Sequence, residues 1–125
     1  MGALKTMREA LAADLTVLGV PAAAAWPIEI AAPCVFVTPA LAGEYVTPGP
    51  NFGGEYTVFV DVVIMVEHAA IEIALVALED LLELALVHTA DWALRAVDPP
   101  APTTITDNGA QYLATVLHLS KSVRI

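Results

Sequence analysis

Residues 56–66 read YTVFVDVVIMV and form a long apolar run. Alternate side chains of a β-strand point to opposite faces of a sheet. Here both faces are apolar: the face of Tyr56 adds five valine and isoleucine residues, and the face of Thr57 adds three large apolar residues and Asp61. Because such a strand is buried on both sides, the run predicts the central strand of the domain.

A second apolar segment, residues 71–88, predicts a helix. The side of this helix that suits a protein core carries Ala74, Leu78, Leu81 and Ala85. The opposite side carries a narrow acidic stripe of Glu72, Glu79 and Glu83. Val76 and Leu86 lie beside the stripe, where a monomeric helix normally has polar residues. Strand and helix together carry more apolar surface than we expect 125 residues to cover, so both are predicted to meet other copies or a partner.

Further elements are predicted around these two segments. A helix over about residues 3–18 follows from leucine and methionine residues on one stripe, and Gly19 and Pro21 end it. The other predicted elements are a short edge strand within 22–33, a strand at 34–38, a turn-rich loop at 40–55, a strand at 92–97, a stiff connector at 98–102, a tight turn at 107–109 and a closing strand at 111–123. This order predicts one α+β domain over residues 1–125, with a mainly antiparallel sheet, one long helix packed on a face and an N-terminal helix.

Composition restricts the class of protein. Hydrophobic residues make up 58% of the sequence, but no apolar run reaches the roughly 18 residues of a membrane span without a charge. The N-terminus lacks the apolar region of a secretory signal, and the single Cys34 agrees with a reducing compartment, so we expect synthesis in a cytoplasm and no membrane. A net charge of −9 with five Lys and Arg residues argues against a nucleic-acid-binding patch.

The polar residues give no linear signature of catalysis, and we expect no catalytic residue, metal or cofactor. His68 and its acidic neighbours match no metal-ligand spacing, and Cys34 has no basic neighbour that would activate its thiol. The motifs GxGxxG, GxxxxGK[ST], GxSxG and CxxC do not occur. An enzyme stays open as an alternative because acid–base sites need no linear motif.

Asp61 is the unusual residue of the central strand. A carboxylate in an apolar strand either faces a wet surface or meets a cation, and Arg95 is a candidate partner. His118 in the closing strand is expected to be an edge-facing or hydrogen-bonded side chain. Both residues therefore have a structural interpretation.

The order of these segments resembles that of the tail terminator (tail completion) proteins of long-tailed bacteriophages. The resemblance lies in the N-terminal helix MGALKTMREALAADLTVLGV, the strand PCVFVTP, the loop LAGEYVTPGPNFGGEYTV, the long apolar strand and the helix IEIALVALEDLLELAL. It continues through a tryptophan and a proline break to GAQYLATVLHLSKSVRI, so that it covers nearly the whole chain.

The resemblance implies a structural virion protein and no catalysis. Members of the family form a hexameric ring at the head-proximal end of the tail, which caps the tail tube, ends tube polymerisation and presents the head-docking surface. The implied partners are other copies of the chain, the major tail tube protein and a head-completion or connector protein. Assembly takes place in the host cytoplasm, and DNA passes through the ring without specific binding.

Alternatives of other classes remain open on the sequence alone. One is a neighbouring virion part of related fold, such as a head–tail connector or minor tail protein. Another is a ferredoxin-like regulatory or ligand-binding domain whose apolar faces form a dimer. The native mass separates these alternatives, because a six-fold ring favours the terminator and a dimer favours the regulatory domain.

The sequence also nominates residues for the expected contacts. Bulky residues of the turn-rich loop should touch a neighbouring subunit or the tube, namely Leu41, Tyr45 and Phe52. On the long helix, Val76 and Leu86 should lie at or beside a subunit interface. The acidic stripe is expected to face the bore of the ring, where like charge keeps DNA phosphates from adhering. The alternative is that the stripe faces the solvent outside the ring.

Overall fold

A computed structural model describes residues 2–24, 32–49, 53–67, 70–104 and 111–124. It shows the predicted α+β fold with a mostly antiparallel sheet. The helices are α1 (Ala3–Asp14), which continues as a 3-10 turn over Leu15–Leu18, and α2 (Ile71–His88). The strands are β1 (Ala22–Ala23), β2 (Cys34–Pro39), β3 (Val46–Pro48), β4 (Glu55–Glu67), β5 (Ala93–Val97), β6 (Ala101–Thr104) and β7 (Gln111–Arg124).

The sheet is built on the long antiparallel pair β4 and β7. Their ladder runs without interruption from Glu55 opposite Arg124 to Glu67 opposite Tyr112. Strands β2 and β3 share the other edge of β4, and strands β5 and β6 share the other edge of β7. The two-residue β1 adds to β2 in parallel. Among the described strands, β5 and β6 therefore form one outer edge of the sheet.

Both helices pack on one face of this sheet. Alternate residues of β4, beginning with Val58, join a buried cluster with Leu11 and Leu15 of the N-terminal helical segment and with Leu78 of α2. The predicted core residues Ala74, Leu78 and Ala85 are buried, and Leu81 is half-buried against the same cluster. The helix phase inferred from the sequence is therefore confirmed.

The opposite face of the sheet is also buried within one chain, contrary to the expectation for the central strand. It carries a second buried cluster of Cys34, Phe36, Val63, Met65, Tyr112 and Ala114. No residue from Val60 to Val66 is more than 4% exposed in a single chain. The prediction that the central strand needs another copy to cover it is wrong, because its alternate side chains join two clusters within one chain and both of its edges are paired. Among the described residues, most of the exposed large apolar side chains belong to α2.

The ends of the predicted elements agree with local backbone geometry. Gly19 ends the N-terminal helical segment with φ at 77°, a left-handed conformation that glycine adopts without a Cβ penalty. The loop at 40–55 contains the short strand β3, which pairs with β4. The predicted tight turn at 107–109 and most of the predicted edge strand within 22–33 lie outside the described residues.

Candidate functional site

Among the residues predicted to contact a partner, those on the outward side of α2 form the main exposed apolar surface. Val76 is 57% exposed, and Ile73, which the sequence argument did not single out, is 68% exposed. Leu86 and Val87 are exposed near the end of the helix. Because α2 already packs on the sheet through its other side, these residues contribute nothing to the core of the single chain. Whether they contact a partner remains a prediction.

An apolar seam runs along this exposed side of α2. Its members recur at alternating spacings of four and three, as in the contact stripe of a coiled coil, and are Ile73, Ala77, Asp80, Leu84 and Val87. Four of the five are apolar, and Asp80 stands in the middle. Residues Glu72, Ile73, Val76, Ala77 and Asp80 line a shallow surface depression. The seam is therefore an exposed apolar strip of α2 with the Asp80 carboxylate at its centre.

The predicted acidic stripe lies next to the seam. Glu72, Glu79 and Glu83 are all exposed, and helix geometry places the stripe about 100° round the helix from the seam. With Asp80, α2 carries four carboxylates and no Lys or Arg. The outer surface of α2 therefore combines apolar side chains with negative charge alone, apart from His88 at its end.

The loop residues nominated from the sequence do not join the α2 surface. Leu41 is exposed, but its backbone N–H donates to Asp61, whose side chain lies on the sheet face away from the helices. Tyr45 is half-buried against the helix-side cluster, and Arg8 Nη1 donates to its hydroxyl at 3.1 Å. Phe52 lies outside the described residues. The contact role of Leu41 and Tyr45 stays a prediction, and it concerns a different part of the molecule from α2.

Asp61 is the buried member of a polar cluster that was not predicted from the sequence. Its side chain is 3% exposed, and its Oδ1 lies 2.7 Å from Nδ1 of His118. The Leu41 N–H donates to its other oxygen at 2.9 Å, and Oδ1 of Asp98 lies 2.8 Å from Nε2 of His118. The suggested pairing with Arg95 is wrong, because the β4–β7 register places His118 directly opposite Asp61. The cluster links β4, β7, the start of the 40–55 loop and the segment after β5.

The chemistry of the cluster suits a structural link better than proton transfer. Partial burial of His118 lowers its pKa, because it disfavours the charged ring. Hydrogen bonds to Asp98 and Asp61 and the attraction of both carboxylates outweigh this effect, so the pKa of His118 is raised above its usual value. The imidazolium form donates one hydrogen bond to each carboxylate. Both ring nitrogens are engaged in this way, so neither is directed at a substrate.

Two cations lie on either side of edge strand β5. The guanidinium of Arg95 stacks over the ring of Phe59 at 4.5 Å on the sheet face away from the helices. The ammonium of Lys121 lies 5.5 Å from the ring of Trp92. Leu94 between them is half-exposed. Within the described parts of the chain, neither cation forms an ion pair with a carboxylate.

Among the described residues, neither Cys34 nor a metal-ligand set provides a reactive centre. Cys34 is buried, and burial raises the pKa of its thiol, which disfavours the nucleophilic thiolate. In the described ranges, no three His, Cys, Asp or Glu side chains are arranged to hold a metal ion. Neither described helix is long and apolar enough to cross a membrane.

Comparison with known proteins leaves the family open. No protein-family model matches the chain, and no curated protein gives a significant sequence match. Fold, surface and charge therefore carry the functional argument.

Proposed function

We propose that the protein is a structural virion component that forms a ring on the head-proximal end of a long phage tail. In this role it caps the tail tube, ends tube polymerisation and provides the surface to which the head docks. Its partners are further copies of itself, the tube protein and a head-completion or connector protein. The proposal rests on the resemblance in the order of elements and on the surface of α2.

One observation carries the proposal furthest: α2 exposes an apolar seam although the chain has a complete core. Ile73 and Val87 of the seam are each more than half exposed, while Leu78 on the same helix is fully buried. Exposed apolar surface of this kind, bordered by charge, is typical of contact sites between proteins. A ring uses such a surface once per subunit, because each copy presents one patch to the next.

The charge of the chain supports the same role. A net charge of −9 makes a ring of these subunits repel DNA phosphates, so that DNA can move through the bore without adhering. We assign the bore-facing position to the stripe of Glu72, Glu79 and Glu83, which stays free when the neighbouring seam is covered. The repulsion acts over a Debye length of about 8 Å at physiological ionic strength.

Tube growth in the presence of the protein tests the proposal. The tube protein of the same virus is polymerised with and without it, and tube lengths are measured by negative-stain microscopy. We expect short tubes that carry a ring at one end and stop growing. Tubes that reach their normal length, with the protein left unbound, would overturn the proposal. Binding to isolated heads but not to tubes would instead favour a connector.

A triple substitution tests the position of the acidic stripe. Replacing Glu72, Glu79 and Glu83 by lysine in assembled particles should add phosphate attraction, which makes DNA retention salt-sensitive and slows ejection. The matched control replaces the same residues by glutamine, which removes charge without adding attraction. Normal ejection of the lysine variant at low salt would exclude the stripe from the bore.

A further inference from the structure

The two carboxylates that contact His118 lie in different surroundings. The Asp61 side chain is 3% exposed, whereas the Asp98 side chain is 52% exposed. A buried carboxylate that loses a hydrogen-bond donor has no water to replace it, while water replaces a lost donor at an exposed carboxylate. Losing the contact with Asp61 therefore costs more than losing the contact with Asp98. We refer to these two contacts of His118 together as the His118 bridge.

The protonation state of His118 decides how many hydrogen bonds the bridge contains. The imidazolium donates from both ring nitrogens, but a neutral imidazole has one N–H and one lone pair. A neutral ring protonated on Nε2 would place the Nδ1 lone pair 2.7 Å from the Asp61 carboxylate and leave only the Leu41 N–H, among the described contacts, as a donor to it. A neutral ring protonated on Nδ1 keeps its bond to Asp61 and places the Nε2 lone pair 2.8 Å from Asp98 instead. Because Asp98 can turn to water, the second arrangement is favoured.

The backbone at both ends of the bridge is held independently of the ring. After β5, the Asp98 N–H donates to the Val116 carbonyl at 2.9 Å, and the Thr115 hydroxyl donates to the Asp98 carbonyl at 2.7 Å. At the start of the 40–55 loop, the Ala40 N–H donates to the Phe59 carbonyl at 3.2 Å. Release of the Asp98 side chain therefore leaves the path of the chain unchanged.

Two further charged groups line the same cavity as His118. Arg95 reaches this cavity from β5, and Glu44 reaches it from the 40–55 loop. Their charges are opposite, so their effects on the ring proton oppose each other. The two hydrogen-bonded carboxylates decide the outcome: burial lowers the pKa of His118, but the bonds and charges of Asp98 and Asp61 outweigh burial and raise it.

We infer that the His118 bridge is a pH-dependent link between the centre of the sheet and the segment after β5: when His118 loses its proton, the ring keeps its N–H on Asp61 and releases Asp98. With the proton, one ring joins β4, β7 and the segment after β5. Without it, the ring still joins β4 and β7, and the Asp98 carboxylate turns to water. The link lies within a single chain, so it goes beyond the proposed ring and does not depend on it.

The ring nitrogens report which contact is released. In a chain carrying His68→Gln and His88→Gln, His118 is the one remaining histidine, and the shifts of its two nitrogens are followed by NMR over a pH series in which the chain stays folded. We expect protons on both nitrogens at low pH and a proton on Nδ1 alone after the titration. A neutral ring protonated on Nε2, or a ring that does not titrate within the series, would overturn the inference.

The two ends of the bridge should respond differently in the same titration. The shift of the Asp98 carboxyl carbon should change with the midpoint of the ring. The Leu41 amide should keep its protection from hydrogen exchange, measured against the intrinsic exchange rate at each pH. Loss of the Leu41 protection together with the ring proton would mean that the loop end is released, which would overturn the inference.

A matched pair of substitutions tests the role of Asp98. Asp98→Asn removes one of the two carboxylates that favour the imidazolium, so the pH midpoint of the ring should fall. Asp14→Asn at the end of α1 makes the same change in net charge and should leave the midpoint where it is. Equal midpoints in the Asp98→Asn variant and the parent chain would overturn the inference. None of these measurements requires assembly, so their result is separate from the test of the ring.

Discussion

Replacing His118 by alanine should destabilise the fold more than replacing either of its partners. The substitution leaves the Asp61 carboxylate, 3% exposed, without its cation, and only the Leu41 N–H still donates to it. Breaking a buried pair by removing one partner costs about 3–5 kcal/mol. Because one hydrogen bond to Asp61 survives, we expect about 3 kcal/mol.

The partner substitutions set the scale for comparison. Asp61→Asn keeps the shape and an acceptor for the Leu41 N–H, and His118 retains Asp98 and is 33% exposed to water, so we expect a loss of about 1–2 kcal/mol. Asp98 is 52% exposed, and Asp98→Ala should cost less than about 1 kcal/mol. Burial therefore predicts the order His118→Ala, then Asp61→Asn, then Asp98→Ala.

Urea unfolding measures these losses. The free energy of unfolding of a small protein falls by about 1–3 kcal/mol per molar urea. A loss of about 3 kcal/mol therefore lowers the urea midpoint by roughly 1 M or more. A His118→Ala variant no less stable than Asp98→Ala would refute the argument from burial. So would an Asp61→Asn variant that loses more stability than His118→Ala.

The same cluster predicts a pH dependence with a definite sign. The pKa of His118 is raised in the folded protein above its value of about 6.5 in the unfolded chain. Its contribution to stability is therefore fully present below about pH 6.5, the approximate unfolded pKa, and is lost as pH rises through the folded-state pKa. The charged groups nearby are Asp61, Asp98, Arg95 and Glu44, which lies on the rim of the same cavity of about 300 Å³. The His118→Ala variant should lack this decline, and equal decline in both proteins would contradict the assignment.

Other substitutions test the helix phase, the thiol and the helix end. Val76→Glu should change the free energy of unfolding, measured in urea, by less than about 0.5 kcal/mol but should weaken assembly. Leu78→Ala should lower the same free energy of unfolding by about 2–5 kcal/mol. Cys34 should resist a thiol reagent at pH 8 in the native protein and react after denaturation, and rapid native labelling would contradict its burial. Gly19→Ala should lower stability by about 1 kcal/mol through backbone strain, because no described atom beyond the neighbouring residues in the chain lies within 4 Å of the added Cβ. An unchanged midpoint would contradict the left-handed conformation.

The helices and strands could be predicted from local sequence patterns, because the spacing of apolar residues shows which side of a segment is buried. The run at 56–66 became the strand Glu55–Glu67, and the segment at 71–88 became the helix Ile71–His88. The exposure of Val76 also followed from the helix phase. These features depend on residues close together in the chain, which is the information that periodicity contains.

Features that depend on register were not predictable in the same way. Asp61 and His118 are 57 positions apart, and they meet only because β4 and β7 pair with one particular alignment. The one available signal was Asp61, a carboxylate within the apolar run of β4. The second buried cluster and the Arg8–Tyr45 hydrogen bond likewise join distant segments. From the sequence alone, the apolar strand was therefore assigned to a contact with other copies or a partner, and Tyr45 to a contact with a subunit or the tube.

The native mass of the purified protein shows whether the chain forms the proposed ring. Light scattering over a concentration series, with negative-stain microscopy of the same samples, reports both the number of copies and their arrangement. We expect a closed ring of six times the chain mass of 13.1 kDa, formed at high concentration or on tube ends. A dimer that persists at every concentration and never adds to tail tubes would contradict it.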